Sequence, residues 1–324
     1  MPLTVLLFYK YVRVEDPIAL RDEQRRLCAS LELKGRIIVA TEGINGTVAG
    51  SPPAARKYQE VMLSDPRFAG MEFKISSGPA ETFPRLSIKA RKEIVTLGLV
   101  EDVDARQGGA HLTPEQWKRM IENDPGVVLF DARNRYESDV GRFKGAITSE
   151  IENFRELPKA LAACENLKDK KILMYCTGGI RCEKASALLR REGFRHVYQL
   201  HGGILNYLRE FNGDHWEGEC FVFDQRMTDP AARTADVVGR CAHSGRPAGH
   251  FINCLHDPCH RLFLVDQGVV RENPNHQLCP ACLAAGLTWE TADYVASPAR
   301  LRLPPKPRQP RRRKARMDSQ RKFV

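Results

Sequence analysis

At 324 residues the chain exceeds the roughly 100–200 residues of a typical domain, so two or three separate cores are expected. It is 42% hydrophobic and 28% charged, and no apolar run approaches the ~18 residues of a membrane helix; the opening MPLTVLLFYKYVRVED lacks the basic segment and cleavage site of a secretion signal. A secreted or membrane-spanning protein is not expected, nor a disulfide scaffold: ten cysteines in so long a chain, six of them from Cys220 to Cys282, fit catalytic and metal-binding thiols in a reducing cytoplasm.

In chain order, residues 1–95 read as strand, helix, strand, strand, helix, strand. Leu3–Tyr11 is β-rich, Pro17–Leu33 has helical spacing, and Arg36–Ala40 and Thr47–Ala49 flank Glu42-Gly43-Ile44-Asn45-Gly46, where Asn-Gly predicts the hairpin turn. Pro52–Ser64 reads as a second helix and Glu72–Ser76 as a further strand, an order that suggests a ferredoxin-like α+β domain.

A connector at 96–121 follows an extended Phe83–Lys89; Gln107-Gly108-Gly109 is expected to be a flexible junction, and Thr113 and Pro114 to start a helix. Over 122–218 apolar strands (Val127–Asp131, Lys171–Tyr175, Val197–Leu200) alternate with helices such as Glu183–Glu192, which predicts a doubly wound parallel α/β sheet. Residues 219–290 form a Cys/His-rich extension, and 299–324 is a Pro- and Arg-rich tail expected to be disordered when free. The net charge of +10 resides there: Arg300–Val324 holds eleven Lys or Arg and one acid, Asp318, and the preceding residues balance at 39 of each sign.

The stretch KILMY-CTGGIR-CEKASALLRR carries the chemistry. A strand runs into Cys176 and a helix begins a few residues later, which sets a thiol where backbone N–H groups and the helix dipole favour an anion. Such a thiol should titrate well below ~8.5 and act as a nucleophile. Gly178 and Gly179 let the backbone curl inward, and Arg181 is expected to add positive charge at the rim. Four residues separate Cys176 from Arg181, one fewer than in phosphatase loops, so the cradle suits a persulfide sulfur better than a phosphate. Cys182 either resolves an oxidised or persulfidated Cys176 as a second thiol or packs against the sheet.

This loop resembles that of the rhodanese domain. Asp131-Ala132-Arg133 with Glu137, Gly141–Ala146, and Gly193-Phe194 through Val197–Ile204 strengthen the resemblance. With Ala40–Thr47 (ATEGINGT), Phe83-Pro84, Ile88-Lys89 and Glu93-Ile94-Val95 before it, Tyr175–Ser186 makes residues 1–282 similar to the rhodanese-domain tRNA uridine-34 hydroxylase family. That resemblance implies oxygen-dependent formation of 5-hydroxyuridine at the wobble position, with molecular oxygen as co-substrate, the Cys176 thiol essential and Arg181 and Cys182 beside it. It implies tRNA as the partner and cytoplasmic location, with neither membrane nor DNA involved.

No flavin or nicotinamide motif is visible, and no two-histidine-one-carboxylate pattern. Cys176 would then act covalently, by sulfur oxidation or by addition to C6 of uracil. A rhodanese-type sulfurtransferase carrying a Cys176 persulfide is the second reading, and a non-catalytic RNA-binding module the third.

Cys254-x4-Cys259 and Cys279-x2-Cys282 could hold a structural zinc tetrahedrally, with Cys241, His243, His256, His260 and His276 as alternative ligands. Against the family pattern, His243-Ser244 and Val265-Asp266 stand where further cysteines are common, so at most one metal site is expected. Basic residues Arg36, Lys74, Arg85, Lys89, Arg91 and Lys92 permit RNA contact but are interleaved with acids and stay unassigned. Truncation at Pro304, which removes Arg311-Arg312-Arg313-Lys314-Ala315-Arg316, should weaken tRNA binding and flatten its salt dependence, read from log Kd against log salt, without altering the chemistry.

Overall fold

The computed structural model describes residues 2–99, 103–233 and 237–294; the basic tail at 299–324 lies outside the described residues. Strands β1 (Leu3–Tyr11), β2 (Lys34–Ala40), β3 (Gly43–Gly50) and β4 (Phe73–Gly78), with helices α1 (Pro17–Ser30) and α2 (Pro52–Ser64), form the N-terminal domain. The antiparallel order β4-β1-β3-β2 is that of a ferredoxin-like sandwich, and β5 (Leu86–Ala90) extends the sheet parallel to β2. Both helices begin at side-chain caps followed by proline: Asp16 accepts from the N–H groups of Ile18 and Ala19, and Ser51 from that of Ala54. Leu20, Cys28, Tyr58 and Met62 of the helices meet Leu6, Phe8, Ile37 and Val48 of the sheet in one core.

The hairpin differs from expectation. β2 and β3 turn at Thr41–Glu42, and Asn45 and Gly46 lie inside β3 opposite Tyr9 and Phe8. Gly43, at φ 144°, supplies the conformation this tight connection needs. At Gly46 a side chain would come within 2.7 Å of the Phe8 ring, and the Asn45 amide donates to the Ile94 carbonyl at 2.9 Å. Packing has overridden the local turn preference of Asn-Gly.

The second domain runs through β6 (Ala110–Leu112), α3 (Pro114–Asn123), β7 (Val128–Asp131), α4 (Arg135–Ser138), β8 (Gly141–Phe143), β9 (Ile147–Thr148), α5 (Leu157–Leu161), β10 (Lys171–Tyr175), α6 (Ile180–Arg191), β11 (His196–Leu200) and α7 (Gly203–Phe211). Its sheet, β6-β11-β10-β7-β9, is parallel throughout. Central β10 is covered on both faces: Ile172 and Met174 pack with Ala185, Leu188 and Leu189 of α6, whereas Leu173 and Tyr175 pack with Trp117 and Tyr207 of α3 and α7. This double burial is why KILMY reads as an unbroken apolar run. β12 (Trp216–Phe221) follows α7 and joins β8 and β13 (Thr228–Arg233) in a small antiparallel sheet.

Thr113 caps α3 as expected, with Gln116 closing a capping box. The Gly108-Gly109 junction is tied down instead of flexible. The Gly109 N–H donates to the Ser186 hydroxyl oxygen at 2.8 Å, its carbonyl accepts from the Gln199 amide at 3.0 Å, and a side chain there would strike the Val197 carbonyl.

The two domains are joined by a buried ion cluster. Lys184, 2% exposed, places its Nζ 2.6 Å from Glu93 Oε2, 2.9 Å from Glu42 Oε1 and 3.1 Å from the Val95 carbonyl. Glu42 also accepts from the Ile94 N–H at 2.7 Å, and Glu93 from the N–H groups of Leu97 and Gly98. Burial would raise the Glu93 pKa, but Lys184 and these N–H donors hold it below the ordinary range.

Residues up to Cys241 with Gly245–Gly249 form one compact unit; Ala242–Ser244 and the described residues from His250 onward form a second. The second holds the hairpin β14 (His250–Asn253) and β15 (Leu262–Val265) and the short helices α8 (Gln267–Glu272) and α9 (Pro280–Ala284). Among the described residues no helix is long and apolar enough to cross a membrane.

Lys184→Met should destabilise the first unit by about 3–5 kcal/mol, because it leaves buried Glu93 without its cation. Denaturant unfolding monitored by tryptophan fluorescence checks this, and Lys184→Arg should recover part of the loss.

Candidate active site

Cys176 sits where β10 leaves the sheet, fully buried, and α6 starts four residues later at Ile180. The helix therefore begins earlier than Glu183, where the sequence suggested it. Gly179 N–H points at the Cys176 sulfur at 3.2 Å, and the N–H groups of Arg181 and Cys182 add to this cradle. Gly179 adopts φ 101°, open to glycine and strained for other residues, which is what turns its N–H inward. From below, α7 seals the loop: Ile204 N–H donates to the Cys176 carbonyl at 3.0 Å and Leu205 N–H to the Thr177 carbonyl at 3.2 Å.

Burial by itself would push the Cys176 pKa up. The Cys182 thiol donating to its sulfur, the Arg181 charge and the backbone N–H groups outweigh that and lower it to about 6. Cys176 is thus a thiolate at neutral pH. Cys182 is also fully buried in the core cluster with Ala185 and Leu188, and burial pushes its own pKa well up, which keeps it a neutral donor.

Arg181 is not at an open rim. Its guanidinium is buried and gripped by Glu137 through Nη1–Oε2 at 2.5 Å and Nη2–Oε1 at 2.8 Å, with Thr177 Oγ1 3.4 Å from Nη2. The Glu137 carboxylate accepts in turn from the Asn134 N–H at 3.2 Å, so helix α4 fixes the cation beside the thiolate. Asp131 and Arg133 form a second fully buried bidentate pair one turn away, bracing the loop that follows β7.

The N-terminal sheet roofs the loop. A side chain on Gly178 would collide with Leu7 and one on Gly179 with the Tyr9 hydroxyl, while Tyr11 donates to the Ile180 carbonyl at 3.3 Å. Tyr9 donates to Glu183 Oε1 at 3.0 Å; the same carboxylate takes the Gln199 amide at 3.0 Å and meets His111 Nε2 at 3.1 Å. Leu7, Tyr9 and Tyr11 were not singled out from the sequence. Their alternation with Leu6 and Phe8 was the available signal: a strand apolar or aromatic at both parities is covered on both faces.

In the second unit the sulfurs of Cys254, Cys259, Cys279 and Cys282 all lie within 4.8 Å of one another, with Cys259 and Cys279 3.7 Å apart. A tetrahedral zinc with Zn–S near 2.3 Å needs sulfurs about 3.8 Å apart, so this group fits a metal ion. The histidines considered as alternative ligands are engaged elsewhere. His243 and His276 stack at 4.6 Å, His260 pairs with Asn253, and His256 Nδ1 accepts from the Asp293 N–H. Cys241 belongs to the first unit.

A thiolate cradled by a strand-to-helix loop on a parallel sheet, with an α+β roof, defines a rhodanese domain fused to an acylphosphatase-like one. The family descriptions agree: UPF0176 acylphosphatase like domain matches residues 3–94, Rhodanese-like domain 113–210 and Rhodanase C-terminal 217–283. Proteins named tRNA uridine(34) hydroxylase are similar over most of the chain. That of Bacillus mycoides strain KBAB4 is 44% identical over 271 residues, 82% of this chain and 85% of its own. That of Bacillus pumilus strain SAFR-032 is 42% identical over 296 residues, 90% of each, and that of Cytophaga hutchinsonii 43% over 258, covering 79% and 82%. The chain belongs to the tRNA uridine(34) hydroxylase family.

The thiolate absorbance of Cys176, taken as the difference between wild type and Cys176→Ser, should titrate with a midpoint near pH 6. Removing the neighbouring cation in Arg181→Met withdraws a stabiliser of the charged form, so the midpoint should rise by about one unit or more.

Proposed function

We propose that this chain converts uridine 34 of tRNA to 5-hydroxyuridine, with molecular oxygen as co-substrate and Cys176 as nucleophile. Identity of 42–44% with proteins of that name, over most of their length and of this chain, carries the reading. The buried thiolate supplies the chemistry it needs. Its sulfur forms a bond to C6 of uracil, the C5=C6 electron pair moves into an enolate across C5, C4 and O4, and C5 attacks oxygen to give a C5 hydroperoxide, whose O–O bond two equivalents of a small-molecule thiol cleave, leaving C5–OH, water and a disulfide. Loss of the C5 proton with expulsion of the thiolate restores the pyrimidine. Arg181, Gly179 N–H and Cys182 stabilise the sulfur anion before attack and again as it leaves. Water is kept from the sulfur by the β1 roof.

We further propose that Cys254, Cys259, Cys279 and Cys282 hold a structural zinc, which would contribute folding free energy to this small unit. The site of action is the cytoplasm, and the substrate is a folded tRNA whose wobble base is exposed in the anticodon loop.

Nucleoside mass spectrometry on a gene-deletion strain tests the reaction. Wild-type protein should restore 5-hydroxyuridine derivatives and Cys176→Ser should not; unchanged hydroxylation together with loss of 2-thiouridine would replace this reading with sulfur transfer. Elemental analysis of untagged protein should find about one zinc per chain, and less than about a tenth of an equivalent would remove the metal site.

A further inference from the structure

A cavity of about 340 Å³ lies between β1 and β4 of the N-terminal sheet, α7 and the segment after β12. Three of its lining residues touch the cysteine loop. Leu7 lies against Gly178, Leu205 is bonded through its N–H to the Thr177 carbonyl, and the Phe223 ring lies 5.5 Å from the Arg181 guanidinium. Phe223 is a large apolar side chain left 45% exposed. An exposed aromatic ring beside a cationic group is the usual platform on which a protein stacks an unpaired base.

Lys74 also lines this cavity, and it is the unexplained residue there. It is only 7% exposed, its nearest carboxylate, Glu72, stands at 4.0 Å, and its ammonium lies 4.9 Å from the Tyr9 ring. Among the described residues no hydrogen bond holds that ammonium. Paired with Glu72 only at this long distance and bordering the cavity, the ammonium is free to donate to an acceptor that a ligand brings there. Burial lowers the Lys74 pKa, opposed by Glu72 and by the Cys176 thiolate, which also places the ammonium within electrostatic reach of the reacting sulfur.

We propose that this cavity receives the flipped uracil of position 34, with Phe223 stacked on the ring and the Lys74 ammonium donating to O4. The proposal rests on the hydroxylase reading and adds to it the base pocket and a second catalytic residue. When the thiolate adds to C6, its negative charge passes to the enolate, most of it on O4; Lys74 meets that charge as it forms, and no proton or external electron is required for the step. Cytosine carries an amino group in place of O4, a donor facing a donor, so the same contact discriminates uridine from cytidine. Arg209, exposed at the mouth with Nη2 on the Ile75 carbonyl at 3.1 Å, offers its remaining N–H groups to a phosphate. Because Cys176 is fully covered, C6 reaches the sulfur only once the side chains between cavity and loop, Leu7 against Gly178 among them, move aside.

The test uses full-length protein and a synthetic anticodon stem–loop bearing U34. In anaerobic D2O, reversible addition of Cys176 to C6 washes deuterium into C5, read by nucleoside mass spectrometry. Wild type should exchange and Cys176→Ser should not. Lys74→Met should lose exchange at least about 100-fold, as expected for removal of one oxyanion donor, while its thermal unfolding and near-UV circular dichroism show that the fold is intact; Lys74→Arg should recover part of it. Wild type should also bind the U34 stem–loop more tightly than a C34 one, a preference that Lys74→Met should abolish. Phe223→Ala should weaken binding about tenfold and Phe223→Tyr should not. Exchange and U34 preference within threefold of wild type in Lys74→Met would overturn the pocket, as would wild type that hydroxylates in air yet never exchanges. Wild type that neither exchanges nor hydroxylates would overturn the hydroxylase reading itself, and the pocket with it.

Discussion

Everything around Cys176 answers one physical problem, that of keeping a negative sulfur where no water reaches it. Burial opposes the charge, and it is outweighed by N–H groups at the start of α6, the Cys182 thiol and the Arg181 cation. Each of those stabilisers needs its own support. Gly179 must take a positive φ to aim its N–H, and Arg181 must be held by a carboxylate that is itself buried, which is the work of Glu137 on α4. The strand that delivers the cysteine is central in its sheet and covered on both faces.

The N-terminal domain completes this site and is not an appendage. β1 uses its two faces for different purposes: Leu6 and Phe8 build the domain's own core, and Leu7, Tyr9 and Tyr11 close over the cysteine loop. The two domains are fixed to each other by the Lys184 cluster, in which Glu42 of the EGINGT segment and Glu93 of the connector meet the helix that stabilises the thiolate. The two most distinctive segments of the sequence touch, through Glu42 and Lys184.

The Cys/His-rich unit follows another logic. Its hairpin and short helices bury a small apolar set, Phe251, Phe263, Leu264, Val265 and Val270 among it, and four sulfurs converge beside it. Metal coordination by such a group does for a small fold what a hydrophobic core does for a large one.

Much of this was legible in the sequence because it depends on local chemistry. Apolar runs and proline caps set the helices and strands, the strand-Cys-Gly-Gly-helix order announced a thiolate loop, and Cys-x4-Cys with Cys-x2-Cys announced a group of sulfurs. What failed were inferences in which a neighbour distant in sequence decides. Asn45-Gly46 has the composition of a turn, yet the Phe8 ring and the Ile94 carbonyl hold it in a strand. Gly108-Gly109 has the composition of a hinge, yet Ser186 and Gln199 bind it. Arg181 was placed at an open rim because its partner, Glu137, is 44 residues away. The sequence by itself determined where the candidate nucleophile stands, since a thiol at a strand-to-helix junction is a property of adjacent residues. Only the tertiary structure decided how that thiol is charged, covered and approached, because the carboxylate, the roof and Lys74 come from segments that meet through burial alone.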